Sequence, residues 1–312
     1  MQTKAQSIEE SARTVSKFSD YAQFMKFRLA SLVVFSAAIG YFMGIREFSR
    51  PADWLEITML VLGGFLVTGS SNGFNQIIER ETDKLMTRTA NRPIPTGRMS
   101  VTEGMVVAFI TGAVGIFLLW YYLNPLSGIL SALSLLLYVV LYTPMKKVSP
   151  VAVFVGAFPG AIPTMLGWVA ADPGFGKIGV TALILFAIQF VWQFPHFWAI
   201  AWVADDDYRR AGFRLLPSAG GRDRSTAFQI LVYTLFLMPV SVLPLLLPIR
   251  SADGTTLLSA GIVGVLISVV CGALFAAQAF RLYRTLDTRD ASRVMFGSFI
   301  YLPVVQLALL FG

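Results

Sequence analysis

Asn75, Glu79 and Asp83 recur at intervals of four in NGFNQIIERETD, at the end of an apolar stretch that begins near Trp54. On a helix each step of four overshoots a full turn by only about 40°, so the three side chains share one face over roughly 12 Å. Two carboxylates and an amide in a row suit a divalent cation that also holds a diphosphate, because Mg²⁺ takes carboxylate and phosphate oxygens. Ionisable residues at membrane depth are costly, which marks the row as functional. The loop that follows, KLMTRTANRPIPTGRMS, presents Lys84, Arg88, Arg92 and Arg98. Guanidinium forks bind phosphate oxygens bidentately, so a cation beside these arginines makes a diphosphate clamp. The plainer alternative for the loop alone is a membrane-face segment whose acids pair with its bases.

Two further clusters carry chemistry-bearing residues. His196, the only histidine, follows Pro195 in VWQFPHFWAIAWVADDDYRRAGFRLLPS, among Trp192, Phe194, Phe197 and Trp198. A lone histidine on an aromatic helix is ordinarily a packed core residue. Here it approaches Asp205, Asp206, Asp207 and Tyr208, acids that suit a second cation, a base or simply a solvated loop start. Tyr142 and Lys146 in LYTPMKK share a face if the helix continues through Pro144; an interfacial tyrosine is the bland alternative. Gly156 and Gly160 form a G-x3-G spacing that helix packing explains without chemistry.

The elements that must position these groups are membrane helices. The 312 residues are 55% hydrophobic and only 14% charged, whereas a soluble domain has near 25% charged residues. Nine runs approach the ~20 residues a bilayer requires: roughly 28–46, 54–78, 102–122, 124–143, 149–170, 179–202, 226–247, 256–280 and 292–311. The expected fold is all-α: one membrane domain over 28–312, preceded by a segment 1–27. In that segment Val15, Phe18, Tyr21 and Met25 recur at helical spacing among charges, as in a helix lying on the interface. No cleavable signal is expected, because the first apolar run is of spanning length.

Twenty-one Lys and Arg fall on one set of loops and four (Arg46, Arg50, Lys177 and Arg250) on the other. That asymmetry places the N-terminus in the cytoplasm and the C-terminus on the opposite, periplasmic or extracellular, side. The net charge of +7 therefore reports topology and an anion-attracting face, not nucleic-acid binding. The single Cys271 excludes an intrachain disulfide and a cysteine metal cluster. All the chemically interesting polar residues lie on the basic face.

The segments SSNGFNQIIERETDKLMTRTANRPIPTGRMS, LYTPMKKVSPVAVFVGAFPGAIPTMLGW and WQFPHFWAIAWVADDDYRRAGFRLLPS resemble the UbiA-type intramembrane prenyltransferases, most closely the branch that farnesylates haem b. The resemblance runs from about Tyr21 onward. It implies a nine-helix bundle around a central cavity, with Mg²⁺ as cofactor. The implied reaction transfers farnesyl from farnesyl diphosphate to a vinyl group of haem b, giving haem O. It implies a bacterial inner-membrane location, with haem A synthase or terminal-oxidase assembly proteins as partners.

Carried over by position, the first acidic motif falls on Asn75, Glu79 and Asp83 as metal–diphosphate ligands, with Arg88 and Arg92 as its extension. The W-Q-x-P-H element falls on Trp192, Gln193, Pro195 and His196, and a D-Y pair on Asp207 and Tyr208. Asp207 and His196 are then candidate bases or porphyrin-orienting groups, and His196 is a weaker candidate for iron. Lys84, Tyr142, Lys146 and Tyr208 are candidate substrate contacts, and Arg209, Arg210 or Arg214 would meet propionates. There are two departures. Glu79 stands where aspartate is usual, and the second D-x3-D is incomplete, since Ala211 stands four positions after Asp207. Rival functions are prenylation of an aromatic quinone precursor, secondary transport, or a purely structural assembly role.

Overall fold

The computed structural model describes residues 16–45, 51–247, 249–250, 256–258 and 262–311. Val15, Arg46 and Arg50, and most of the expected 1–27 segment, lie outside the described residues. A short helix, α1 (Lys17–Met25), is capped by Ser16 and closes at Lys26. Lys26 adopts the left-handed conformation (φ 52°) that terminates helices, so α2 (Phe27–Gly44) leaves in a new direction. Then come α3 (Pro51–Ile78), a single further turn α4 (Arg80–Asp83), α5 (Val101–Tyr122) and α6 (Pro125–Leu136). The last of these runs on through a π-helical turn, Leu137–Tyr142, to Met145. After it follow α7 (Ala152–Ala170), α8 (Val180–Val203) and the short α9 (Asp205–Arg210). The chain closes with α10 (Arg224–Leu246), α11 (Ile262–Thr285) and α12 (Thr288–Phe311).

Among the described residues nine helices are long and apolar enough to span a bilayer, so this is a multi-pass membrane protein. Helix is the expected solution, because lipid offers no partner for an unpaired backbone N–H or C=O. Neighbours pack as α3 on α5, α6 on α7, α8 on α10 and α12, and α11 on α10 and α12, with α12 returning to α2. The innermost pair is α7 and α8, with 72% and 67% of their spans buried, against 28% for α5. Small residues set the closest crossing: a Cβ at Gly40 or Gly167 would collide with the backbone of Thr164 or Ala37, so α2 and α7 touch main chain to main chain.

One expectation shifts. The eighth apolar run was expected from 256, but 256–258 forms a strand paired antiparallel with Ile249–Arg250, and the helix begins at Ile262. Hydropathy does not distinguish such a paired apolar strand from the start of a helix. Helix α1 buries Phe24 and Met25 and leaves Phe18 75% exposed. Polar bonds fix its orientation: Arg98 Nε to Asp20 at 2.8 Å, Tyr21 Oη to Glu103 at 2.8 Å, and Gln76 Nε2 to the Phe24 carbonyl at 2.8 Å.

Candidate active site

The end of α3 carries the acid row. The i→i+4 pattern continues past Ile78, with Glu79 N–H bonding Asn75 O and Asp83 N–H bonding Glu79 O, so the three side chains share a face as their spacing predicts. All three are buried, Asp83 completely, and they line one cavity of about 360 Å³, a size typical of small-molecule sites. Asn75 donates weakly to Thr143 Oγ1 at 3.4 Å, leaving its carbonyl oxygen for the cavity. Arg92 Nη1 lies 2.7 Å from Asp83 Oδ2. Lys146 Nζ lies 2.5 Å from Glu79 Oε1 and satisfies that oxygen as an ion pair, whereas Asp83 Oδ1 is a buried acceptor without a hydrogen-bond partner. Burial pushes the Asp83 carboxyl up, and the Arg92 guanidinium opposes it.

Lys146 reaches this point because of an irregularity. Pro144 would drive its ring into the preceding turn of an α-helix. The turn before it widens to π, with Thr143 N–H bonding back to Tyr138 O, and the helix continues to Met145. Tyr138, Tyr142 and Lys146 therefore all face the cavity, and Lys146 Nζ sits 5.0 Å above the Tyr142 ring. Gly156 and Gly160 do more than pack helices. A Cβ at Gly156 would stand 2.6 Å from the Tyr142 ring, and one at Gly160 would strike the Gln193 amide.

The loop after Asp83 folds over the mouth. Arg88 and Arg92 line the cavity, and Arg88 Nη2 donates to Tyr208 Oη at 3.1 Å. Asp207 is placed differently from the expectation. It does not line the cavity; it accepts the backbone N–H groups of Thr87 and Arg88, both at 3.2 Å, and pairs with Arg210. Burial acts against its charge, but those two N–H groups and Arg210 hold its carboxyl below the ordinary range. A carboxylate so fully engaged is a poor base; it ties the α9 turn to the arginine loop. Lys84 is also displaced, pairing with Glu81 at 2.9 Å on the surface outside the cavity. Arg209 pairs with Asp205 at 2.9 Å, and neither it, Arg210 nor Arg214 lines the cavity.

The deeper wall is aromatic and polar. Trp192, Gln193, His196 and Phe197 from α8 face Phe299 and Leu302 from α12. Leu29 and Leu32 of α2 line the cavity although each is 45% exposed, so the cavity reaches the outer surface beside α2. Sequence reasoning missed Lys26, which lines the mouth and is pushed down to about 7, first by burial and then by Arg92 and Lys146. Its only signal was a lysine wedged between two helical runs. Ser298, Gln189 and Asn72 were equally invisible, being ordinary polar residues within apolar segments.

The fit to a divalent cation follows from these atoms. Among the described residues no cluster of three or more His, Cys, Asp or Glu converges, so a cation here needs oxygens from a substrate. Two buried carboxylates, Asp83 with an unpartnered oxygen, an amide oxygen and flanking cations suit a hard metal that arrives with a diphosphate. The UbiA prenyltransferase family model matches residues 33–302. The chain belongs to the UbiA prenyltransferase family. A relative named protoheme IX farnesyltransferase from Cytophaga hutchinsonii is 45% identical over 293 residues, covering 94% of this chain and 97% of that one. Among solved structures, one of digeranylgeranylglyceryl phosphate synthase has a TM-score of 0.74 at 19% identity, covering 95% of this chain and 98% of that one. A UbiA homolog from Archaeoglobus fulgidus bound to GPP and Mg²⁺ has a TM-score of 0.65 at 12% identity, covering 93% and 99%. As a UbiA prenyltransferase the chain is an enzyme, and the all-α nine-span fold agrees with both neighbours.

Proposed function

We propose that this UbiA prenyltransferase is a protohaem IX farnesyltransferase, moving farnesyl from farnesyl diphosphate to a vinyl group of haem b. The observation that carries the reaction type is the buried pair Glu79 and Asp83 at the mouth of a membrane cavity, ringed by Arg88, Arg92, Lys146 and Lys26. The substrate class is supported by the likeness to the Cytophaga relative over nearly the whole length of both chains.

Asn75, Glu79 and Asp83 would hold Mg²⁺ together with the diphosphate, and the bound ion would draw charge from the leaving group. Arg92 and Lys146, now paired with the carboxylates, exchange those partners for phosphate oxygens as the diphosphate enters. The allylic C–O bond breaks with its electron pair leaving on diphosphate, and the farnesyl carbon bonds the terminal vinyl carbon of haem. The positive charge moves to the carbon beside the porphyrin ring, where water adds and loses a proton, giving a hydroxyethylfarnesyl group. Tyr138, Tyr142 and Phe197 line the same cavity, aromatic rings of the kind that stabilise a cation, and the apolar bundle keeps water from quenching it early.

The surplus of basic loops supports a cytoplasmic face for the site, with the N-terminus inside, and the likeness to the Cytophaga relative supports a bacterial inner membrane. Haem A synthase or oxidase-assembly proteins would take the product. The test is purified protein with haem b, farnesyl diphosphate and Mg²⁺, with the product identified by mass. Geranylgeranyl diphosphate as competitor fixes chain length. Prenylation of 4-hydroxybenzoate in place of haem would overturn the assignment.

A further inference from the structure

We propose that His196 is an axial ligand to the iron of the porphyrin substrate, offered through Nε2, and that Ser298 is the residue that fixes it in that form. The assignment rests on haem b being the substrate, as argued above, and goes beyond it in naming how the macrocycle is held.

The tautomer follows from hydrogen counting. Ser298 Oγ has one hydrogen, and it is spent on the Met295 carbonyl 2.5 Å away. The contact of 2.8 Å between Ser298 Oγ and His196 Nδ1 then requires Nδ1–H to donate to the hydroxyl oxygen. Nδ1 therefore carries a proton, and in the neutral ring the lone pair is on Nε2. Among the described residues no protein group bonds Nε2, while His196 lines the cavity. An imidazole whose far nitrogen donates to an outer partner while its near nitrogen stands free is the arrangement of metal-ligating histidines.

The ring is also held still. It stacks on Trp192 with centroids 4.2 Å apart and planes 17° apart, and meets the edge of Phe299 at 4.9 Å and 84°. Trp192 Nε1 donates to the Ser298 carbonyl at 2.9 Å. Ser298 thus fixes both aromatic partners of α8 from α12, through its carbonyl and its hydroxyl. Ligation needs only the lone pair and a fixed direction, and both are present.

The chain contains a single histidine, so ¹⁵N-histidine labelling of protein carrying a histidine-free affinity tag reports on His196 alone. The unaltered protein in detergent, loaded with ferrous haem b, should show an iron–imidazole stretch in resonance Raman that shifts on labelling. Haem that is bound and farnesylated without any label-sensitive mode overturns the proposal and leaves the farnesyltransferase reading standing. Absence of both haem binding and farnesylated product brings down the function and the ligand together. Ser298→Ala keeps the imidazole but frees the tautomer, and haem affinity should fall about tenfold with the stretch retained. Unchanged affinity in that variant would remove Ser298 from the assignment.

Discussion

Replacing Glu79 by Gln separates what the carboxylate does for folding from what it does for chemistry. Glu79 and Lys146 have side chains only 4% and 9% exposed, with Nζ 2.5 Å from Oε1. Removing the carboxylate leaves a buried ammonium without a counter-charge, a loss of about 3–5 kcal/mol in stability. The same change removes one of two anionic metal ligands, and losing one preorganised electrostatic contact costs about 10²–10³ in turnover. Adding Lys146→Met removes the stranded charge, and a buried pair replaced by apolar groups is often close to neutral in stability. The double variant should therefore recover much of the thermal stability in detergent while haem farnesylation stays at the single variant's level or lower. The assays are a thermal unfolding scan and mass-detected product. Glu79→Gln that retains wild-type turnover at limiting Mg²⁺ would refute the clamp, and a double variant that regains activity would show that Glu79 serves folding alone.

Other outcomes follow from particular contacts. Gly156→Ala puts a Cβ 2.6 Å from the Tyr142 ring, so stability should fall by about 1–3 kcal/mol and turnover should fall with it. Asp207→Asn loosens the loop that carries Arg88 without removing a base: KM for farnesyl diphosphate should rise about tenfold, with the pH profile of kcat unchanged. Lys26, pushed down to about 7, is mostly neutral at pH 8 in the free protein. A bound diphosphate restores its ordinary range, so binding should take up as much as about one proton at pH 8 and almost none at pH 6. Calorimetry with inorganic diphosphate in buffers of different ionisation enthalpy measures proton exchange, and the difference between the unaltered protein and Lys26→Gln, in which the ligand's own protons cancel, should show that uptake.

Much of this architecture was readable in the chain because lipid enforces simple rules. Spanning helices must be long and apolar, so nine runs were visible, with limits mostly within a few residues of the observed helices. The acid row was readable because a period of four on a helix needs no tertiary information. What failed depended on contacts between distant segments. Asp207 and Lys84 share the composition of site residues, yet one is committed to the Thr87 and Arg88 backbone and the other to Glu81. Lys26 enters the site only because of a left-handed turn. The π turn that aims Lys146 was foreseen as a question about Pro144, not as its answer. Ser298 had no signal at all, since a serine in an apolar helix is ordinary until its partner is seen.

The central claim, that Glu79 and Asp83 hold a metal only in company with a diphosphate, is tested most directly by electron paramagnetic resonance of Mn²⁺ added to the purified protein with a non-hydrolysable farnesyl diphosphate analogue. The account predicts little Mn²⁺ bound alone, tight binding once the analogue is present with ³¹P hyperfine coupling to the ion, and loss of that signal in Asp83→Asn. A ³¹P-coupled ion that persists in both Asp83→Asn and Glu79→Gln would contradict it.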